Sequence, residues 1–327
     1  QILLLTTVQA LVMVCGAVIV STQTTAVRAA NLLASFIIVP ISLLVQVESV
    51  VMFWARYDAL WWLILGMALV AGVLARTGVR LFDREQLLGK EIDDLNLRGG
   101  ARGFWSAFIN GARSPLDWYR HAVFPTVRGL AVPIVLMTGF LLAGYFVGAQ
   151  QARQWPPDEQ FLQTLGRTPL GGADFASAYA QSGFAGGRGF VRVLVNNTLA
   201  LLLASGVGIF SAGVAAALLL MAPLAIVGYI VSVMGQAGFN PVLLLAATVL
   251  PHGWVEVPAA ILTGAAVLRL GASLLAPPPG KSVGEGWVNA LAGWAQVFLG
   301  LTLPLLALAA ALEVFVTPWV AMTVLGR

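Results

Sequence analysis

Long uninterrupted apolar runs constrain this chain more than any other feature of its sequence. Several extend for about 20 residues, the length that an α-helix needs to cross a bilayer core about 30 Å thick. Of the 327 residues, 59% are apolar and only 10% are charged, whereas soluble domains average about 25% charged residues. The runs do not alternate polar and apolar positions, as the strands of a membrane barrel do. The sequence therefore predicts an all-α, polytopic helical membrane protein.

The runs predict about eight transmembrane spans. The stretch 194–234 is long enough for two spans, and 241–275 is too long for one straight helix. The other expected spans cover about 2–20, 32–53, 60–76, 129–149 and 288–312. Glu313 follows the last of them, which predicts that this carboxylate lies at a helix end.

Positive charge is concentrated between Arg76 and Arg128, where no run is long enough to span a bilayer. The nine Lys and Arg residues of this stretch are at 76, 80, 84, 90, 98, 102, 113, 120 and 128. Because cytoplasmic loops carry an excess of Lys and Arg, we expect 77–127 to be a cytoplasmic or interfacial helical linker. Within it, Arg98-Gly99-Gly100-Ala101 is predicted to interrupt the helical pattern. By alternation, loop 150–190 is expected to be external.

The basic linker also accounts for the net charge of +4. An excess of Lys and Arg on one side of the membrane is typical of membrane proteins. We therefore predict the lipid bilayer, and no nucleic acid, as the partner of this charged chain.

One short segment places ionisable residues inside an apolar run. His252 and Glu256 are four residues apart, so they share a face if the segment is helical. Pro251 and Pro258 remove backbone donors, and together with Gly253 they predict a broken helix near 251–258. An ionisable group is costly in hydrocarbon and by default faces a protein interior or a water-filled cavity. This segment is therefore the candidate functional site.

Three interpretations of His252 and Glu256 stay open at this point. In the first, the two side chains form an internal hydrogen-bonded pair that fixes how a broken helix packs. In the second, they line a polar cavity used in transport, proton coupling or switching between states. In the third, they belong to a metal or hydrolase site.

The sequence predicts neither a cofactor nor a metal. Zinc normally requires three or four protein ligands, and the other histidine of the chain, His121, lies in the basic segment. The Gly280-Lys281-Ser282 stretch is not a phosphate-binding loop, because Leu275 stands where that loop requires a glycine. Nothing resembles a serine or cysteine nucleophile with a positioned base.

The segment from Leu250 to Ala265, with Leu268-Arg269-Leu270-Gly271 behind it, resembles the signature of the stage II sporulation protein M family. That signature has an L-P-H-G-x-x-E-x-P-A core, small residues, and an L-x-L-G ending. Further family-like marks are Asn196-Asn197 at the opening of a span and Glu313-x-Phe315-x-Thr317-Pro318 near the end. The resemblance covers about 100–327 and implies an integral membrane protein. The sporulation member works with cell-wall hydrolases, while many relatives belong to organisms that do not sporulate.

The N-terminal part resembles a different family. Three closely spaced spans followed by Leu81-Phe82-Asp83-Arg84-Glu85-Gln86-Leu87-Leu88-Gly89-Lys90 are similar to the last part of an ABC-type export permease. The two resemblances imply a three-span permease-like part at 1–76, the linker at 77–127, and a sporulation-protein-M-like domain at 128–327. They also imply a separate ABC ATPase subunit as a partner.

Together these observations predict a non-enzymatic component of an export system or of an envelope-associated complex in the plasma membrane. Its partners would be the ATPase subunit or cell-envelope proteins. Its buried polar centre would be formed by His252, Glu256, Glu313, Asn196 and Asn197. The alternatives are a structural subunit of a larger membrane complex and an intramembrane hydrolase that uses His252 and Glu256.

Overall fold

A computed structural model gives the fold of residues 1–23, single positions between 34 and 52, and residues 59–82, 97–167, 185–209, 211, 213–275 and 283–325. The described residues form α-helices and short π-helical turns, and no strand occurs among them. The predicted all-α class is confirmed.

The helices follow one another with short connections. The first part of the chain contains α1 (Ile2–Gln23), α2 (Ala59–Phe82) and α3 (Leu97–Ile109). Helix α4 begins as Pro115–Trp118, widens into a π-helical turn at Tyr119–Val123 and continues as Phe124–Arg128. Then come α5 (Ala131–Gln154), α6 (Glu159–Arg167), α7 (Gly186–Ile209), α8 (Val214–Gln236), α9 (Pro241–Thr248) and α10 (Leu250–Leu275). Helix α11 comprises Val283–Val297, a π turn at Phe298–Thr302, Leu303–Ala311, a π turn at Leu312–Val316, and Thr317–Leu325.

Six helices among the described residues are long and apolar enough to cross a membrane, which confirms a polytopic architecture. The six segments are Ile2–Ile19, Ala131–Gln154, Gly186–Ile209, Val214–Gln236, Leu250–Ser273 and Gly284–Leu325. Helix α2 adds a shorter apolar stretch, Leu63–Arg76. Most of the expected span at 32–53 lies outside the described residues, as does the predicted external loop beyond Arg167 up to 184.

Helix α10 lies at the centre of the C-terminal bundle and is the most buried of these six helices. It packs against α5, α7, α8 and α11. Small side chains on α10, including the fully buried Ala259 and Ala265, let the neighbouring backbones come close. Around them a cluster of buried apolar residues fills the bundle, including Met137, Leu201 and Leu306.

The closest helix pairing is between α5 and α8. Gly144 and Gly148 lie one turn apart on α5, and a methyl group added at Gly148 would collide with the backbone of Ala225. Gly228 on α8 faces the backbone of Tyr145 in the same way. Membrane helices approach this closely only where small residues remove the side-chain layer between them. These glycines therefore set the distance between α5 and α8.

Substitution of Gly148 by Ala should destabilise the protein, by about 1–3 kcal/mol for an overpacked contact, because the added methyl group must displace the α8 backbone. The matched control is Gly139→Ala on the same helix, where nothing lies within 4 Å of the added carbon. We expect the control to melt at the wild-type temperature or slightly above it. Thermal unfolding of the detergent-purified proteins checks this, and equal melting of the two variants would contradict the close packing.

Helices α3 and α4 dock on the first part of α11 through the buried side chain of Gln296. Its amide donates to the carbonyls of Ala107 and Phe108 at 2.9 and 3.0 Å. Its oxygen accepts from the Thr126 hydroxyl at 2.6 Å. The predicted interruption at Arg98-Gly99-Gly100-Ala101 is wrong, because these residues lie within α3. Packing on α11 supports a helix that two adjacent glycines would disfavour in isolation.

The start of α4 is capped on the protein surface. The Ser114 hydroxyl accepts from the backbone N–H of Asp117 at 3.2 Å. The Asp117 carboxylate accepts from the Arg113 N–H at 3.0 Å, and this bond lowers the pKa of Asp117 below its ordinary value. The His121 ring lies 2.7 Å from the same carboxylate and lowers its pKa further. These contacts fix where the helix begins.

The predicted broken helix at 251–258 is wrong, because Leu250–Leu275 is one continuous helix. The chain bends one residue earlier, at Val249 between α9 and α10. Pro251 lies in the first turn, where its missing N–H would have had no helical partner. Gly253 donates its N–H to the Val249 carbonyl at 2.7 Å. Pro258 lies inside the helix, where membrane proteins tolerate proline because neighbouring groups satisfy the freed carbonyl.

The last span does not end at residue 312 as expected. Helix α11 continues to Leu325 through a π-helical turn, and Glu313 lies inside that turn instead of at a helix end. Two of the described π turns are followed by prolines, Pro304 and Pro125, whose missing N–H frees the carbonyl four residues earlier. Those carbonyls, on Gly300 and His121, accept from Tyr119 at 2.7 Å and from Asn110 at 2.6 Å. Side chains thus replace the bonds that the prolines remove.

Candidate functional site

Helix α10 places His252 and Glu256 on one face, one turn apart. The Nε2 atom of His252 lies 4.0 Å from Oε2 of Glu256, which is too far for a hydrogen bond. The two side chains therefore face each other without bonding directly. The hydrogen-bonded pair that the spacing suggested is not made, and each residue has another partner.

Helix α11 brings a second pair of the same spacing to this place. Glu313 and Thr317 are four residues apart, and the π-helical turn Leu312–Val316 lies between them. One ligand atom each from His252, Glu256 and Glu313 lie within 4.8 Å of one another. Two helices, each with two residues one turn apart, thus meet at one polar centre.

Thr317 fixes the orientation of the imidazole. Its hydroxyl donates to the Leu312 carbonyl at 3.1 Å. The hydroxyl oxygen can then accept from Nδ1 of His252, which lies 3.1 Å away. With the proton on Nδ1, the Nε2 atom presents a lone pair toward the two carboxylates.

Asn197 connects the centre to a third helix. From α7, its side-chain amide donates to Oε1 of Glu256 at 3.0 Å. This leaves Oε2 of Glu256 on the side of His252. The prediction that Asn197 belongs to the buried polar centre agrees with this position.

Asn196 does not join the centre, contrary to the prediction. Its side chain is exposed and lines a shallow groove on the outer face of α7 together with Arg188 and Arg192. Neighbouring residues of a helix point about 100° apart, because one turn holds 3.6 residues. Only one of two adjacent asparagines can therefore face α10.

The centre is polar but mostly enclosed. The side chain of His252 is 16% exposed and that of Glu256 is 33% exposed, while Glu313 and Asn197 are half-buried. An imidazole nitrogen and two carboxylates form a ligand set that metal ions use. The sequence-based argument against a metal considered only the second histidine and did not include Glu313 as a ligand. The Glu313-x-x-x-Thr317 spacing, matched to His252-x-x-x-Glu256, is the signal that would have indicated the convergence.

The fold and this centre define a polytopic helical membrane protein whose membrane helices share one interhelical polar cluster. Residues 133–318 match the family described as Stage II sporulation protein M. The chain belongs to that family, as its LPHG-containing segment indicated, and the matched region includes every residue of the centre. No curated protein and no solved structure matches the chain. The resemblance of the N-terminal part to an export permease lies outside the matched residues and stays a prediction.

Substitution of Asn197 by Ala should lower the free energy of unfolding by about 1–3 kcal/mol, because it leaves a half-buried carboxylate oxygen of Glu256 without its donor. The matched control is Asn196→Ala, one residue away on the exposed face of α7. We expect its effect to stay within about 0.5 kcal/mol. Thermal unfolding in detergent measures both variants. Equal effects would show that the amide of Asn197 contributes nothing specific.

Proposed function

We propose that this chain is a non-enzymatic component of an export system in the cell membrane, paired with a separate ATPase subunit. The observation that carries the proposal is the way in which the polar centre is bonded. Asn197, Glu256 and His252 connect α7, α10 and α11 through side chains that bond to one another across helices. Such a connection holds helices in one arrangement, and its rearrangement would accompany a change of state.

The centre also lacks the features of a catalytic site that hydrolyses peptides or esters. The hydroxyl at the centre, on Thr317, donates to a backbone carbonyl and lies beside the Nδ1 atom that orients the ring. A nucleophile instead needs a base positioned to remove its proton. This supports an architectural or switching role, and it favours the export component over the intramembrane hydrolase.

The basic end of the molecule is the proposed contact for the ATPase. Helices α3 and α4 are fixed to α11 by Gln296 and Tyr119, so a force applied to them would be transmitted to α11. The arginines Arg98 and Arg102 of α3 are exposed. If this end is cytoplasmic, as the distribution of positive charge favours, these side chains would meet a soluble subunit.

The proposal predicts that the tag-purified chain, extracted from its own cells in mild detergent, carries an ATPase subunit in stoichiometric amount. Mass spectrometry and quantitative gel analysis measure the ratio. The double substitution Arg98→Glu/Arg102→Glu should lower recovery of the ATPase several-fold, because it reverses the charge of the contact surface. The matched control is Arg153→Glu, which changes an exposed arginine at the other end of α5 and should leave recovery unchanged.

Two other results would overturn the export role. Recovery of cell-wall hydrolases or other envelope proteins without an ATPase would make the chain a scaffold for envelope machinery. Recovery of a large assembly that contains neither would make it a structural subunit of a membrane complex. In both cases the charge-reversal variant should behave like wild type in a transport assay.

A further inference from the structure

We propose that His252, Glu256 and Glu313 bind one divalent transition-metal ion of the zinc class between α10 and α11. The ligand atoms would be Nε2 of His252, Oε2 of Glu256 and one carboxylate oxygen of Glu313. The ion would join two helices that meet at this point through side chains of opposite register. This site goes beyond the proposed function and does not depend on an ATPase partner.

The distances suit an ion after small side-chain movements. Ligands at about 2.1 Å from a tetrahedral metal lie about 3.4 Å from each other. The Nε2 and Oε2 atoms are 4.0 Å apart, and all three ligand atoms lie within 4.8 Å of one another. Closing these gaps requires rotations of side chains that are already on the correct faces of their helices. No backbone movement is needed to bring a third ligand, because the π-helical turn already places Glu313 opposite α10.

Two further residues hold the ligands as outer partners do in metal sites. A metal-binding histidine almost always donates its other ring N–H to a neighbouring acceptor, which fixes the tautomer. Here Thr317 provides that acceptor, with its own hydrogen directed to Leu312. Ligating carboxylates are likewise hydrogen-bonded, and Asn197 donates to the oxygen of Glu256 that points away from His252.

Charge also favours a cation. Two carboxylates face each other among apolar helices, and a neutral imidazole adds no positive charge to balance them. A divalent ion would neutralise both carboxylates, where an unpaired charge is costly. None of the described Lys or Arg side chains forms an ion pair with either carboxylate.

The donor set selects the class of metal. One nitrogen and two oxygens suit zinc and its first-row neighbours, whereas magnesium and calcium prefer oxygen ligands alone. Three protein ligands leave a fourth position for water or for a group from a partner. The exposed third of the Glu256 side chain provides a route for the ion.

The test uses the full chain in detergent after removal of any histidine tag. We expect mass spectrometry of the elements to find one zinc-class ion per chain. After chelation, titration with Zn²⁺ should raise the melting temperature, whereas Mg²⁺ should not. His252→Ala and Glu313→Gln should abolish both the retained metal and the Zn²⁺-dependent shift. The control His121→Ala removes the other histidine, which is exposed beside Asp117, and should keep both.

A variant that keeps all three ligands separates binding from folding. Thr317→Val removes the acceptor of His252 Nδ1 and should weaken Zn²⁺ binding about 10–100-fold, as outer partners of metal ligands typically do. Thr317→Ser should restore it. Absence of metal from the purified wild type, together with a Zn²⁺ response equal to that of His252→Ala, would overturn the proposal. Loss of the ion would leave recovery of the ATPase as a separate measurement.

Discussion

The packing of α10 on α11 is the interaction on which the rest of the C-terminal bundle depends. Near its middle, the fully buried hydroxyls of Thr263 and Thr302 lie 2.9 Å apart and share a hydrogen bond. A polar contact of this kind has no competing water in an apolar layer, so it fixes the register of the two helices. With that register set, α5, α7 and α8 pack on the other sides of α10, and the polar centre forms where the same two helices meet again.

The sequence predicted the general fold because it follows from local composition. Runs of apolar residues gave the spans, and the cost of an ionisable group in hydrocarbon directed attention to His252 and Glu256. The partners of these residues were harder to predict. Helical spacing relates residues on one helix, but it says nothing of which residue on α11 faces them. The positions of Glu313 and Thr317, and the choice of Asn197 over Asn196, follow from tertiary packing that no local pattern contains.

The prolines show a similar limit. In the sequence, Pro251 and Pro258 indicated a broken helix, because proline removes a backbone donor and disturbs the preceding turn. The structure accommodates Pro251 in a first turn, and it follows π-helical turns with Pro125 and Pro304. Around those turns, Asn110 and Tyr119 donate to the carbonyls that would otherwise lack a partner. The donors come from elsewhere in the chain, so the sequence around each proline does not reveal them.

The π-helical turn at Phe298–Thr302 has a consequence for how this helix can change in length. A π turn holds one more residue than the corresponding α turn, so deleting one residue there would restore α-helical phase. Everything beyond it would rotate by about 100°, while Gln296, which precedes it, would keep its bonds to α3. Glu313 would then point away from α10. A single-residue insertion or deletion in this turn therefore separates the two ends of α11, retaining the docked basic end and dismantling the polar centre.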